Sequence, residues 1–263
     1  MHQRTHIDLS APEGQPVCGR GEEKSMIYKQ PFFNLQLDFA EIVSAVVGCS
    51  LSQGILTYTN LYIRFGLGRE FNPEHPVWQD YLVGLQNGND RYDWTYSFYL
   101  KQLQLREATP IEGTFGCFSF GLLRDGSLRL HFRNSDTGEH SSLSHRYVEQ
   151  RRVELRMLFD HVRQMPTQPS RVRGVSWLYN LEAYRRLFPP RYLETARAVR
   201  GRFQFMPLWG QFLDRHGNLK QELTERFRAC FLQQNNVGEL DRCFPFSVIE
   251  VEGEVEEFYQ FYD

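Results

Sequence analysis

The fold class is decided by residues 114–133, which read TFGCFSFGLLRDGSLRLHFR. Aromatic and aliphatic residues dominate both halves of this stretch, and Asp125-Gly126 separates them. Asp-Gly between two such runs is a strong signal for a β-hairpin. With Asp125 and Gly126 as a two-residue loop, Phe120 faces His131 across the hairpin. The sequence therefore predicts two antiparallel strands here.

This pairing predicts two faces of different character. The core face carries Phe115, Cys117, Leu128, Leu130 and Phe132. The second face carries Phe118, Phe120 and Leu122 across from Arg129, His131 and Arg133. Aromatic and basic side chains together are unusual on a simple solvent face, so the second face is a candidate binding surface.

Helices and further strands are predicted around the hairpin. The apolar stripe of residues 145–164, with most of the arginines outside it, predicts the longest helix. Other helices are predicted at 38–51, 76–85, 180–188, 192–200, 220–233 and 254–262, and strands at 55–65, 173–179, 203–213 and 246–251; residues 89–104 fit either type. This pattern predicts one α+β domain over residues 31–263, with an antiparallel or mixed sheet flanked by helices. Residues 1–30 are polar and rich in Pro and Gly, which is typical of a flexible arm.

Composition excludes several classes of protein. With 41% hydrophobic and 24% charged residues, the chain has enough apolar content for a packed core. No apolar run resembles a signal peptide or a membrane span, so we expect a cytoplasmic protein without a membrane partner. The five cysteines are odd in number and lack C-x-x-C spacing, so we expect reduced thiols.

Basic charge is concentrated in the middle of the chain. The sequence has 26 Arg and 4 Lys, and residues 124–202 hold 16 Arg against 8 acidic residues. Residues 203–263 hold 5 basic and 11 acidic residues. Two interpretations stay open: the acidic tail packs near the basic middle, or the middle binds a small-molecule anion.

Familiar catalytic motifs are absent from the sequence. It has no G-x-S-x-G, P-loop, H-E-x-x-H or G-x-G-x-x-G pattern. A metal site at His131, His140 and His145 with Asp136 or Glu139 is disfavoured, because His140 and His145 straddle a helix boundary. Cys117 is disfavoured as a nucleophile, because the expected register puts it on the opposite face from His131.

The loop over residues 135–144 leads directly into the longest predicted helix. Free N–H groups at a helix N-terminus bind phosphate or carboxylate groups. Side-chain donors could come from Ser141, Ser142, Ser144, His145 and Arg146. Plain helix capping is the alternative interpretation.

Residues 177–188, WLYNLEAYRRLF, resemble the strand-to-helix junction of the GNAT-type N-acyltransferases, in which an Asn precedes a helix with Ala and an aromatic residue on one side. The predicted order of hairpin, long helix, strand, helix and bent strand pair is similar to that family over about 115–220. The family's loop, Gln/Arg-x-x-Gly-x-Gly/Ala, corresponds here to residues 136–141, DTGEHS, which contain one glycine.

The resemblance implies a coenzyme A thioester as acyl donor, with its pyrophosphate at the N-terminus of helix 145–164. The acceptor amine would lie over the hairpin face with Phe118, Phe120 and His131. His131 would act as general base, since an imidazole pKa of ~6.5 suits proton transfer near neutrality. Tyr179 or Tyr184 would protonate the leaving thiolate. The implied cofactor-binding residues are Arg133, Ser141, Ser142, Ser144, His145, Arg146 and Asn180.

The leading hypothesis is therefore a small-molecule enzyme that moves an acyl group from a CoA-type donor to an amine. The alternative is a non-catalytic binding protein that uses its aromatic surface and the acidic tail, residues 250–263, to dock a basic partner or a second copy of itself. Nucleic-acid binding through the central arginines is a further alternative, disfavoured by a pI near 6.5.

Overall fold

The computed structural model describes residues 27–68, 70–88, 90–105, 113–136, 138–199 and 205–263. Most of the predicted flexible arm lies outside these residues. The helices are α1 (Gln30–Val47), α2 (Leu51–Tyr58), α3 (Leu61–Arg64), α4 (Pro76–Gln86), α5 (Arg91–Leu105), α6 (Val148–Arg163), α7 (Glu182–Arg185), α8 (Pro190–Glu194), α9 (Gln221–Phe231), α10 (Val237–Arg242) and α11 (Val255–Tyr262). The strands are β1 (Thr114–Phe115), β2 (Phe118–Leu122), β3 (Leu128–Phe132), β4 (Arg171–Ser176), β5 (Arg197–Ala198) and β6 (Ile249–Glu254).

The α+β fold with a mixed sheet is confirmed. Within the described residues, six strands form one sheet in the order β1-β2-β3-β4-β6-β5. The only parallel neighbours among them are β3 and β4, which are joined through α6. Parallel strands need such a crossover connection because their ends lie far apart. Leu155, Leu158, Phe159 and Val162 of α6 are buried with the hairpin in one hydrophobic cluster.

The predicted hairpin exists, but its predicted register was wrong by one residue. Phe120 pairs with Leu130, and His131 pairs with Ser119. Gly126 adopts a φ of +78° and donates its N–H to the carbonyl of Leu123 at 2.9 Å. This is a type I turn followed by a left-handed glycine, which makes the loop three residues long instead of two.

A one-residue change of register moves every side chain to the other face. Phe118 and Phe120 therefore share the face beneath α6 with Leu128, Leu130 and Phe132, whereas Leu122, at the edge of this face, is exposed. Ser119 and Gly121 share the opposite face with Arg129, His131 and Arg133. The expected surface that mixes aromatic and basic side chains does not form.

The N-terminal third is helical and packs around a second hydrophobic cluster. Helix α1 has Pro31 in its first turn and ends at Gly48, whose φ is +74°. It starts earlier than predicted, and the strand predicted at 55–65 is instead α2 and α3. The β-branched and aromatic residues of segment 55–65 pack in a helical core, where burial outweighs strand propensity. The undecided segment 89–104 is α5.

Residues from the second half of the chain complete this helical core. Phe39 of α1 lies at its centre, with ring centroids of five other aromatic residues 5.4–5.7 Å away. Its neighbours are Phe205, Trp209, Phe227, Phe231 and Phe244. Residues Met206–Phe212 form a 3-10 helix, so the strand predicted at 203–213 was wrong over its described part, residues 205–213. Pro207 favours this outcome because it provides no N–H for a strand ladder.

Most of the remaining helix and strand predictions hold with shifted boundaries. The helices predicted at 76–85, 145–164, 220–233 and 254–262 correspond to α4, α6, α9 and α11, and the strands predicted at 173–179 and 246–251 correspond to β4 and β6. Residues 145–147 form a 3-10 turn before α6 begins. The helix predicted at 180–188 is a short α7. The helix predicted at 192–200 was wrong in its second half, because α8 ends at Glu194 and residues 197–198 form β5.

The acidic tail packs against the basic middle of the chain. Strand β6 lies between β4 and β5, and its glutamates face arginines of both strands. Arg171 and Glu252 are 2.6 Å apart, and Arg197 and Glu250 are 3.0 Å apart. The carboxylate of Asp263 pairs with Arg163 of α6. Of the two open interpretations of the charge pattern, intramolecular pairing accounts for these arginines.

Two cysteines are not reduced, contrary to expectation. Cys230 of α9 and Cys243, which follows α10, form a disulfide with their Cα atoms 5.5 Å apart. Their separation of 13 residues in the sequence carries no signal, because the packing of α9 against α10 brings them together. Cys49 and Cys117 are free thiols. Disulfides persist mainly in oxidising compartments and are rare in the cytosol. This bond therefore weakens the case for a cytoplasmic location, which stays a prediction.

Among the described residues, no single helix is both long and apolar enough to cross a membrane. Helices α1 and α2 meet those criteria only when they are taken together, and a bend of 113° separates them.

Candidate functional site

The candidate site is a cleft between the parallel strands β3 and β4. Their pairing covers only Leu128 with Val172 and Arg129 with Arg173, although β3 continues to Phe132 and β4 to Ser176. A cavity of about 110 Å³ lies where the two strands diverge. It is lined by Leu130, His131, Phe132, Val175, Ser176, Leu178, Tyr179 and Tyr184. Ligands in open sheets commonly bind beyond the carboxyl ends of parallel strands, as here.

The three predicted catalytic residues line this cavity together. His131 is half-buried on β3, and its pairing with Ser119 puts it on the sheet face opposite Phe132. A side-chain atom built on Gly121 would lie 3.9 Å from His131 Nε2. The imidazole therefore lies beside a strand residue that has no side chain.

Tyr179 and Tyr184 approach from the α6 side of the sheet. Tyr184 packs edge-on against Phe132, with ring centroids 5.5 Å apart. Tyr179 and Tyr184 are in edge contact at 5.1 Å. The cavity is thus bordered by an imidazole on one face of the sheet and by two phenols on the other.

The two phenols belong to a buried group that continues to Tyr192. The hydroxyl oxygens of Tyr179 and Tyr192 are 2.9 Å apart, and the ring of Tyr184 packs against that of Tyr179. Burial raises the pKa of all three phenols well above the ordinary value. They therefore stay protonated at neutral pH and act as hydrogen-bond donors.

Two glycines make room for these tyrosines. A Cβ at Gly174 of β4 would lie 1.9 Å from the Tyr179 hydroxyl and 2.4 Å from the Tyr192 hydroxyl. A Cβ at Gly253 of β6 would lie 3.1 Å from the Tyr192 ring. The absence of side chains on neighbouring strands lets Tyr192 lie directly on the sheet.

The loop between β3 and α6 contains most of the predicted cofactor-binding residues. Ser142 is buried and donates its hydroxyl hydrogen bond to Asn134. The Ser141 hydroxyl accepts the N–H of Leu143. The buried hydroxyl oxygen of Ser144, at the start of the helix, has no hydrogen-bond partner. Ser144 thus supplies a free polar atom, whereas Ser141 and Ser142 stabilise the loop itself.

The other predicted cofactor-binding residues are spread along the surface. Arg133, His145 and Arg146 are exposed. The side-chain amide of Asn180 donates to the carbonyls of Trp177 and Ser247, at 2.7 and 2.8 Å. Asn180 therefore joins two chain segments, and its position beside a ligand stays a prediction.

A buried charge cluster anchors the same loop. Arg151 of α6 is 1% exposed and pairs with Asp136 at 2.9 Å and with Glu154 at 2.7 Å. It also contacts the thiol of Cys117, and Glu154 accepts the N–H of Cys117 at 3.0 Å. The expectation that the arginines of this helix lie outside its apolar stripe was wrong for Arg151. Burial raises the pKa of the Cys117 thiol, so the thiol is a poor nucleophile.

Two residues that support the site from behind its lining were not predicted from the sequence. Arg186 of α7 donates a hydrogen bond of 2.6 Å to the carbonyl of Leu143 and so fixes the end of the loop. Tyr192 was placed in a helix without a role. The signal for Tyr192 is its occurrence with Tyr179 and Tyr184 at spacings of 5 and 8 residues, but these spacings match no regular helix face.

Metal binding has little support in the described parts of the chain, where no three His, Cys, Asp or Glu side chains are grouped to hold a metal ion.

Comparison of the chain with known protein families, with curated proteins and with solved structures gives no match.

Proposed function

We propose that the cleft between β3 and β4 binds the thioester end of a CoA-type acyl donor and transfers its acyl group to an amine. The observation that carries this proposal is the divergence of two parallel strands around a cavity bordered by His131, Tyr179 and Tyr184. The arrangement provides a base on one face of the sheet and hydrogen-bond donors on the other. Transfer of an acyl group from a thioester to an amine uses a base for the proton of the amine and a hydrogen-bond donor for the departing sulfur.

Part of the order of elements is compatible with the proposal. A hairpin, α6 and the parallel strand β4 follow one another as the resemblance to GNAT-type N-acyltransferases implies, whereas a 3-10 helix, Met206–Phe212, stands where the bent strand pair was expected. Pairing of Arg171 and Arg197 with glutamates of β6 gives the acidic tail a role within the fold. It reduces the support for the tail as a docking segment and for these arginines as a nucleic-acid surface.

The residues present fit a thioester in two respects. The cavity of about 110 Å³ has the volume of roughly three or four water molecules, which accommodates a thioester group. Ser144, whose buried hydroxyl has no partner, and the exposed side chains of His145 and Arg146 lie at the 3-10 turn that leads into α6, and N–H groups at such an N-terminus favour a phosphate. The loop has one glycine among residues 136–141, so the phosphates would depend on these side chains.

When bound, the thioester supplies an activated acyl carbon and a thiolate leaving group. His131 accepts the proton of the amine while the C–N bond forms and the C–S bond breaks. Tyr184 donates a hydrogen bond to the sulfur, which leaves as a thiolate. Because the pKa of Tyr184 is raised well above 10, Tyr184 stabilises the thiolate by this hydrogen bond without giving up its own proton.

Thermal stability with acetyl-CoA and with CoA tests the proposal. A ligand at 100 times its Kd stabilises a protein by about 2.7 kcal/mol, which raises the Tm of a chain of this size by roughly 5–10 °C. Release of CoA thiol from acetyl-CoA, with hydroxylamine as a small acceptor, measures turnover. We expect His131→Ala to lower turnover at least tenfold while acetyl-CoA still raises its Tm.

A matched control is His140→Ala, which changes an exposed histidine of the loop. It should leave turnover within about twofold of the wild type. An unchanged Tm with both ligands, together with no enzyme-dependent release of thiol, would overturn the proposed function.

A further inference from the structure

Tyr192 is a fully buried phenol whose hydroxyl points toward the candidate site but does not reach it. Its side chain is 0% exposed, and it lies behind Tyr179 as viewed from the cavity. The ring packs edge-on against Phe258 of α11, with centroids 4.8 Å apart. Gly174 and Gly253 provide the space in which it lies. A buried hydroxyl costs free energy unless it is hydrogen-bonded, so its position calls for an explanation.

Phenylalanine would fill this space as well as tyrosine does, apart from the hydroxyl. The Tyr192 hydroxyl is 2.9 Å from that of Tyr179, and either oxygen can donate. Tyr179 is in turn in edge contact with Tyr184, with ring centroids 5.1 Å apart, and both tyrosines line the cavity. When an acceptor atom in the cavity accepts a hydrogen bond from Tyr184, the remaining phenols can align so that each donates to the next.

We propose that Tyr192 is a positioning residue that directs the hydroxyl protons of Tyr179 and Tyr184 toward the sulfur of the acyl donor. This inference rests on the proposed function of the cleft. Tyr192 donates to Tyr179, Tyr179 donates to Tyr184, and Tyr184 donates to the sulfur. Each bond of such a chain polarises the next, so the last donor becomes stronger. No proton leaves the chain, and no covalent bond of a tyrosine changes.

Tyr262 provides a matched control for Tyr192. It is also a buried phenol of the same hydrophobic cluster, and its hydroxyl donates to the carbonyl of Leu187 at 2.6 Å. Tyr192→Phe and Tyr262→Phe each remove one buried hydroxyl and one hydrogen bond. A structural role alone predicts similar effects of the two substitutions, whereas a positioning role predicts effects at the cavity for Tyr192→Phe alone.

The first measurement is binding, by calorimetry, of CoA and of desulfo-CoA, which lacks the sulfur. We expect the wild type to prefer CoA, because the chain of phenols donates to its sulfur. Tyr192→Phe should reduce this preference by about threefold or more, whereas Tyr262→Phe should retain it. Tyr179→Phe interrupts the chain one phenol closer to the cavity and should reduce the preference at least as much.

The second measurement is the dependence of turnover on the leaving group. With acetyl-CoA, Tyr192→Phe should lower kcat about threefold to tenfold with little change in KM. With the acetyl ester of 4-nitrothiophenol, whose thiolate needs little stabilisation, the loss should disappear.

The outcomes separate the two proposals. If the wild type binds neither acetyl-CoA nor CoA, the proposed function is wrong and the assignment of Tyr192 falls with it. If the wild type binds and turns over acetyl-CoA but Tyr192→Phe and Tyr262→Phe behave alike in both measurements, only the assignment of Tyr192 is overturned.

Discussion

Substitution of Gly174 by alanine tests the packing of the tyrosines on the sheet. The added Cβ would lie 1.9 Å from the hydroxyl oxygen of Tyr179 and 2.4 Å from that of Tyr192. Ordinary contacts between such atoms begin at 3.4 Å, so a buried ring must move by more than 1 Å. Overpacking of a core costs about 1–3 kcal/mol and sometimes more. With two phenols displaced, we expect a loss of about 3 kcal/mol in the free energy of unfolding.

The loss can be measured by urea unfolding followed by circular dichroism and by the Tm. For a chain of this size, about 3 kcal/mol lowers the Tm by roughly 6–12 °C. Gly121→Ala is a matched control on β2, because a Cβ there would meet its nearest atom, His131 Nε2, at 3.9 Å. Its free energy of unfolding should stay within about 0.5 kcal/mol of the wild type.

A double substitution identifies the cause of the loss. Tyr179→Phe removes the oxygen nearest to the new Cβ, so the combined variant with Gly174→Ala should lose less stability than the two single changes added together. A Tm of Gly174→Ala equal to that of Gly121→Ala would refute the argument, because the phenols would then not occupy the space above β4.

Three further predictions concern charge and cross-linking. Arg151→Met leaves two carboxylates without their buried partner and should lower the free energy of unfolding in urea by about 3–5 kcal/mol. The side chain of Arg152 is 46% exposed, so Arg152→Met should lower it by under about 0.5 kcal/mol. Equal losses would contradict the burial of Arg151. Cys230→Ser opens a loop of 13 residues closed by Cys243 and should cost about 3 kcal/mol, and reductant should lower the wild type to the same Tm. Hydrogen bonds from the Ser127 hydroxyl and N–H lower the pKa of the Asp125 carboxyl in the folded state. The wild type should therefore lose stability relative to Asp125→Asn as the pH falls below about 4 and through that lowered pKa. Unfolding experiments at a series of acidic pH values measure this loss.

The candidate site was predicted in part from the sequence. His131, Tyr179 and Tyr184 were selected from a resemblance in element order and local sequence, and they line one cavity. Ser142 was predicted to bind a ligand, but its hydroxyl donates a hydrogen bond to Asn134. A local pattern identifies groups able to donate, but it does not reveal which partners within the fold occupy them.

The sequence by itself determined the features that depend on neighbours along the chain. The turn at Asp125-Gly126 predicted the hairpin, and the apolar spacing of residues 148–162 predicted α6. The basic middle and acidic tail predicted that these segments could pair, as Arg171 and Glu252 do. These features follow from backbone preferences and side-chain periodicity, which act over a few residues.

The tertiary structure alone decided the register of the hairpin, the cleft and the disulfide. The left-handed backbone at Gly126 makes the loop one residue longer and so moves His131 away from the face of Phe118 and Phe120. Packing of α9 against α10 brings Cys230 beside Cys243. The cleft forms because β3 and β4 diverge after two residue pairs. The cleft and the disulfide depend on contacts between segments distant in the chain, whose geometry is set by packing. The register depends on which of two possible turns the hairpin adopts, and packing of the hairpin against α6 selects between them.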